Sequence, residues 1–194
     1  MPAAAWTTLA RYNLQKGERF LFHVGSNQWY KNRLGLIALF AALRSRPEGK
    51  LLKLVMAGKP WTRDIREAVY KHNLQASVLE CTDVTNEDLC AFYSVAQAFL
   101  FPSLYEGFGW PIIEAQACGC PVFATAREPM LSVGGEGAHY FDPDNLQEAA
   151  LIVLQGLRNQ PAMRVAGLRN AARFSTERMI AGYDRQYRQV FDER

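Results

Sequence analysis

The chain has 194 residues, of which 49% are apolar, enough to bury the core of one compact domain. Its 22 Lys and Arg stand against 19 Asp and Glu for a net charge of +3, which lacks the basic excess of a nucleic-acid binder and argues against nucleic acid as a partner. No run of about 18 apolar residues occurs, and Met1 to Trp6 offers no basic stretch followed by an apolar signal core, so the domain is expected to be soluble, unsecreted and without a membrane span.

Residues 1–17 are weakly patterned and read as a frayed leader or the remnant of an interdomain connection, leaving 18–194 as the folded domain. From there short apolar runs alternate with amphipathic stretches. Strands are predicted at Phe20 to Val24, Leu51 to Ala57, Ala76 to Leu79, Ala98 to Phe101, Pro121 to Ala124 and Ala138 to Phe141. Between the first two, Leu36, Leu39, Phe40 and Leu43 fall at the i, i+3, i+4, i+7 spacing of one helical face, and Pro47 with Gly49 ends that helix. Thr62 to Asn73 and Asn86 to Ser94 repeat the rhythm. Strand alternating with helix predicts an α/β, Rossmann-like, doubly wound parallel sheet with helices on both faces. In such a sheet ligands bind beyond the carboxyl ends of the strands.

After the last strand the pattern turns helical, at Asn145 to Arg158, Ala162 to Phe174 and Thr176 to Phe191. In the final segment Met179, Tyr183, Tyr187 and Val190 share one face.

Cys81, Cys90, Cys118 and Cys120 form no paired CxxC arrangement and read as reduced, structural thiols. His23, His72 and His139 are scattered without an HExxH pattern, so no metal site is expected.

Two stretches carry chemistry. In Phe101-Pro-Ser-Leu-Tyr-Glu106-Gly-Phe-Gly-Trp-Pro-Ile-Ile-Glu114, a strand end runs into a turn permitted by Gly107 and Gly109, Pro111 suits a first helical turn, and Gly119 suits the C-terminal cap. Unpaired N–H groups and the positive end of the dipole at that helix start favour an anion. Glu106 before the turn and Glu114, placed in the first helical turn, flank one opening and can accept hydrogen bonds from different hydroxyls of one ligand. Helix-dipole and turn-capping roles for these carboxylates remain open from spacing alone. In the second stretch, Val24-Gly25-Ser26 leads to Lys31 at the start of the next helix, where a cation conflicts with the dipole unless it meets an anion.

Together these stretches resemble the C-terminal domain of the GT-B glycosyltransferases of family four, the retaining family that includes mannosyl- and glucosyltransferases. Glu106 to Glu114 resembles its paired-glutamate signature with the Gly-Phe-Gly loop, Ala117 to Val122 the segment that follows, and Val24 to Asn32 its first phosphate-binding turn. Val55 to Gly58 resembles the second strand and loop, and Thr82-Asp83-Val84 with Asp88 and Tyr93 the segment that holds the base.

The resemblance implies one half of a GT-B enzyme that transfers a hexose of mannose or glucose type from a GDP- or UDP-sugar, the donor substrate, to an acceptor hydroxyl. It implies that Lys31 binds the diphosphate with the N–H groups of Phe108 and Gly109 in the Gly107 to Gly109 turn, and that Gly25 and Ser26 border it. Glu106 would be the catalytic carboxylate, contacting the transferred sugar, while Glu114 would hold the ribose and Val84 the base. No bound metal or other cofactor is implied, because cations and helix N-termini neutralise the leaving diphosphate. Tyr30 and Ser26 stand where many relatives carry a cation, and Lys59 is the preferred substitute. The alternative is a non-catalytic nucleotide-binding or assembly module that keeps the fold. The acceptor site and catalytic histidine of such enzymes belong to an N-terminal domain missing here, toward which the last helix, about 176–191, would cross. That domain would be the partner, either removed by excision or separately encoded. A cytoplasmic location follows, with the absent half able to reach the inner face of the membrane.

Overall fold

The structure is a computed structural model that describes residues 2–192. Met1, Glu193 and Arg194, which the two predicted segments include, lie outside the described residues.

Six strands form one parallel sheet: β1 (Phe20–Gly25), β2 (Lys53–Gly58), β3 (Val78–Cys81), β4 (Ala98–Phe101), β5 (Val122–Thr125) and β6 (Ala138–Phe141), in the order β3-β2-β1-β4-β5-β6. All five neighbouring pairs run parallel. Each crossover therefore needs a helix, supplied by α2 (Arg33–Arg44), α3 (Arg63–Lys71), α4 (Asn86–Val95), α5 (Trp110–Ala117) and α6 (Met130–Gly134). The N-terminal α1 (Pro2–Leu9) and the C-terminal α7 (Leu146–Gly156), α8 (Gln160–Ala171) and α9 (Thr176–Asp192) complete the fold.

Alternation along the strands divides the core in two. Phe20 and Phe22 of β1 pack with Val55, Phe92, Tyr93, Phe99 and Phe101 on one face, where Phe22 stacks on Phe92 at 4.7 Å between ring centroids. Leu21 between them packs with Leu54, Met56, Leu100 and the apolar faces of α2, α3 and α7 on the other. The predicted doubly wound architecture is present, and the order reverses between β1 and β4, which opens a crevice at their carboxyl ends.

Three local features differ from the sequence reading. The N-terminal segment is helical, and Ala5, Leu9 and Leu14 are buried against the α4 side of the core, so it is not frayed. Ala-rich sequence hides this, because small residues give little periodic contrast. Lys31 ends a short 3-10 turn, and α2 starts two residues later behind Asn32, whose side chain caps the Gly35 N–H at 3.2 Å. Glu114 is the fifth residue of α5, in its second turn, because that helix starts at Trp110 behind Gly109.

Candidate functional site

The C-terminal ends of β1 and β2 meet at Gly25 and Gly58, which are register partners. Gly58 holds φ at +118°, and a Cβ there would come within 2.2 Å of the Gly25 carbonyl oxygen. No side chain fits, so the two loops that leave these strands start in contact.

Past that point the β1–α2 loop is tied down on both sides. Toward β4, Asn32 takes a left-handed conformation (φ 50°) and its amide donates to the Pro102 carbonyl at 3.2 Å, while the Leu104 N–H donates to the Tyr30 carbonyl at 2.7 Å. Toward β2, the Asn27 amide donates to the Pro60 carbonyl at 2.7 Å. Arg33, buried in the first turn of α2, donates through Nη1 to Asn27 Oδ1 at 2.5 Å and to the Lys59 carbonyl at 3.0 Å. Its Nε and Nη2 have no partner among the described residues, and burial pushes its guanidinium pKa down.

Across the crevice these restraints bring Lys31 and Glu106 together. Lys31 Nζ donates to both carboxylate oxygens, at 2.7 and 3.0 Å, and lies over the Phe101 ring at 5.7 Å. Both side chains are mostly covered, at 16% and 10% exposure, so this pair is screened far less than a surface pair. The cation that conflicted with a helix start thus meets a carboxylate from the neighbouring strand end.

The Gly107 to Gly109 turn follows Glu106 directly. Gly109 holds φ at +102° and caps α5, whose first N–H groups lack carbonyl partners within the helix. Gly119, at φ +70°, closes α5, with its N–H donating to the Gln116 carbonyl and the Cys120 N–H to that of Ala115. Of the three predicted punctuation glycines, Gly109 and Gly119 fall where the backbone needs a positive φ.

The remaining predicted residues line two cavities. One, about 490 Å³, is walled by Gly25, Ser26, Gly58, exposed Lys59 and Val84. The other, about 350 Å³, is walled by Tyr93, Glu114, Cys90 and Cys118, and Leu89 borders both. The Tyr93 hydroxyl donates to Glu114 Oε2 at 3.3 Å; burial first, then the Glu114 charge, pushes its pKa up and keeps it a donor. A larger cavity, about 680 Å³ beside Trp6 and Asn13, contains none of the predicted residues and is remote from the strand ends.

Beneath Gly25, the His23 ring is fully buried in β1, with Nδ1–H donating to the Leu100 carbonyl at 3.0 Å. Burial lowers its pKa to about 3, with the charges of Arg33 and Lys31 acting in the same direction, so the imidazole is neutral and serves the floor of the site.

Lys31 and Glu106 thus pair beside the glycine turn, Gly25, Ser26, Lys59 and Val84 line one cavity, and Glu114 lines a second that shares Leu89 with it. Arg33 carries no sequence signal, since a burial that depends on Asn27 and the Lys59 carbonyl cannot be read from local pattern. Among the described residues no three His, Cys, Asp or Glu side chains converge as metal ligands.

Strand order and crevice define a Rossmann-like domain, a class whose ligands bind at the switch point of the sheet. The chain belongs to the glycosyl transferases group 1 family, whose sequence profile matches residues 5–173. It is 28% identical over 180 residues to O-antigen chain mannosyltransferase B of Escherichia coli, covering 91% of this chain and 47% of that protein. It is 28% identical over 173 residues to GDP-mannose:cellobiosyl-diphosphopolyprenol alpha-mannosyltransferase of Xanthomonas campestris, covering 82% and 44%. Sucrose-phosphate synthase from Thermosynechococcus elongatus superposes with a TM-score of 0.77 at 27% identity, over 99% of this chain and 49% of that one. The chain thus spans about half the length of these relatives. No helix among the described residues is long and apolar enough to cross a membrane.

Proposed function

We propose that the chain holds the nucleotide-sugar donor of a retaining hexosyltransferase, with the diphosphate between the Gly25-Ser26 turn and the Gly107 to Gly109 turn. The observation that carries this reading is the covered Lys31–Glu106 pair at the switch point, beside two cavities that end in Val84 and Glu114. In this reading Lys31 exchanges part of its contact with Glu106 for a phosphate oxygen and stabilises the charge that grows as the diphosphate leaves. The α5 N–H groups share that charge, and Lys59 adds a second, exposed cation. Glu106 is the catalytic carboxylate: released from Lys31, it accepts hydrogen bonds from hydroxyls of the transferred sugar and fixes it for attack from the face the leaving group vacates. Glu114, oriented by the Tyr93 hydroxyl, accepts the ribose hydroxyls, and the Val84 backbone contacts the base.

The acceptor site lies on a further domain, and the mannosyltransferases among the relatives favour a mannose donor carried on GDP. Thermal-shift measurements with UDP, GDP and ADP test the donor reading, because a ligand that binds only the folded state raises its stability with occupancy. One diphosphate is expected to raise the midpoint, with the increase lost in Glu114→Ala. No shift with any of them contradicts the reading.

A further inference from the structure

Cys90 sits on α4 and Cys118 directly follows α5, yet their sulfur atoms are 3.8 Å apart. Cys90 is exposed, Cys118 is partly buried, and both face the 350 Å³ cavity that holds Glu114 and Tyr93. The remaining thiols, Cys81 and Cys120, are buried in the core. One accessible thiol against a second on a different element, at the lip of a cavity, is the arrangement thiol–disulfide exchange requires. The sequence reading of all four cysteines as structural does not anticipate it, because a spacing of 28 residues carries no motif.

We propose that Cys90 and Cys118 form a redox-active dithiol, oxidised by small-molecule disulfides, that closes the Glu114 cavity. The exposed Cys90 thiolate attacks one sulfur of the small disulfide, whose S–S bond breaks and releases one thiol that takes a proton from water. Cys118 then gives its proton to solvent and attacks Cys90 Sγ, displacing the second thiol. Two protein thiols lose two electrons and one small disulfide is reduced to two thiols. Exposure assigns the first attack to Cys90, since a dissolved disulfide reaches it before the partly buried Cys118, whose thiol is pushed up by burial. A disulfide holds its sulfurs about 2 Å apart, so closure draws the C-terminal end of α5 onto α4 across the mouth of the cavity. The effect on nucleotide rests on the donor reading above; the chemistry of the pair does not.

The test equilibrates the chain in graded mixtures of oxidised and reduced glutathione and reads the products by intact mass and peptide mapping. The expected product has lost two hydrogens and links the Cys90 and Cys118 peptides, with Cys81 and Cys120 alkylated only after unfolding. Cys90→Ser, a change at an exposed position, gives no linked product. A persistent glutathione adduct on Cys90 without linkage to Cys118 overturns the proposal. UDP and GDP are then titrated into reduced and oxidised chain, where affinity is expected to fall on oxidation, because a binding shell displaced by about an ångström no longer holds its ligand in place. Equal affinity in the two states overturns the closing of the cavity. Binding in neither state removes the donor reading, while the mass measurement still decides the dithiol.

Discussion

At the scale of single residues, the site rests on groups whose behaviour follows from burial. His23 is neutral in the folded chain because its charged form has no water and no carboxylate beside it. Its folded pKa, about 3, lies below the ordinary 6.5, so in that interval the unfolded chain binds a proton that the folded chain refuses. The stability this group contributes is complete above about pH 6.5 and is lost as the pH falls toward 3. Urea unfolding is expected to show a loss of about 2 kcal/mol between pH 7 and pH 5, above the range in which ordinary carboxylates titrate. The loss should vanish in His23→Gln; an equal loss in that variant would assign it to other groups. Nothing in the local sequence marks His23 as buried and neutral, whereas Lys31 is legible as a cation near the start of α2 that calls for an anion, and Glu106 supplies one.

At the scale of elements, the turn that follows α1, Ala10–Tyr12, is held to α4 by a cluster centred on Asp88 and so anchors α1. Asp88 closes the capping box of α4 with Thr85 and also accepts from the Arg11 guanidinium and, at 2.9 Å, from the Tyr12 hydroxyl. Burial alone would raise its pKa, but the hydrogen bonds from Thr85, Tyr12 and Arg11 outweigh this and hold it below the usual carboxylate range. Its folded pKa is thus depressed, and its contribution is present above the unfolded value and lost as the pH falls through the lower folded one. Asp88→Asn is expected to weaken the cap by about 1 kcal/mol and to speed hydrogen exchange in α1 more than in α2 or α7. Unchanged α1 protection would show that apolar contact alone holds that helix.

Strands and punctuation were the legible part at this scale. All six strand predictions fall within about two residues of the observed ends, since buried parallel strands write themselves as continuous apolar runs. The helix starts at α2 and α5 were displaced because capping is decided by single residues, Asn32 and Gly109, in left-handed conformations that periodicity does not register. For the same reason Glu114 moved from the first to the second turn of α5, away from any dipole-complementing role and toward Tyr93.

At the scale of the whole molecule, the apolar face of α9 meets no buried partner among the described residues. None of the α9 residues is buried, and Met179, Tyr183, Tyr187 and Val190 are all more than half exposed. The shared face was legible from its spacing; that none of the described residues buries it was not, because periodicity tells which side is apolar and not what meets it. Opening α9 exposes little further surface, so its amides are expected to exchange at least about tenfold faster than those of α4 or α7. Protection equal to the core would show that the helix is held by contacts beyond its buried area.

The sheet order opens a crevice at the switch point, and the proposed donor reading depends on whether Lys31 and Glu114 act on one ligand from opposite sides of the glycine turn. Calorimetric titration of GDP and UDP into the chain and into Lys31→Ala and Glu114→Ala tests this most directly. We predict one nucleoside diphosphate that binds, with affinity lowered about tenfold or more in each variant, as expected for the loss of a hydrogen bond to a charged group. Absence of binding by either diphosphate, or affinity unchanged in both variants, would contradict it.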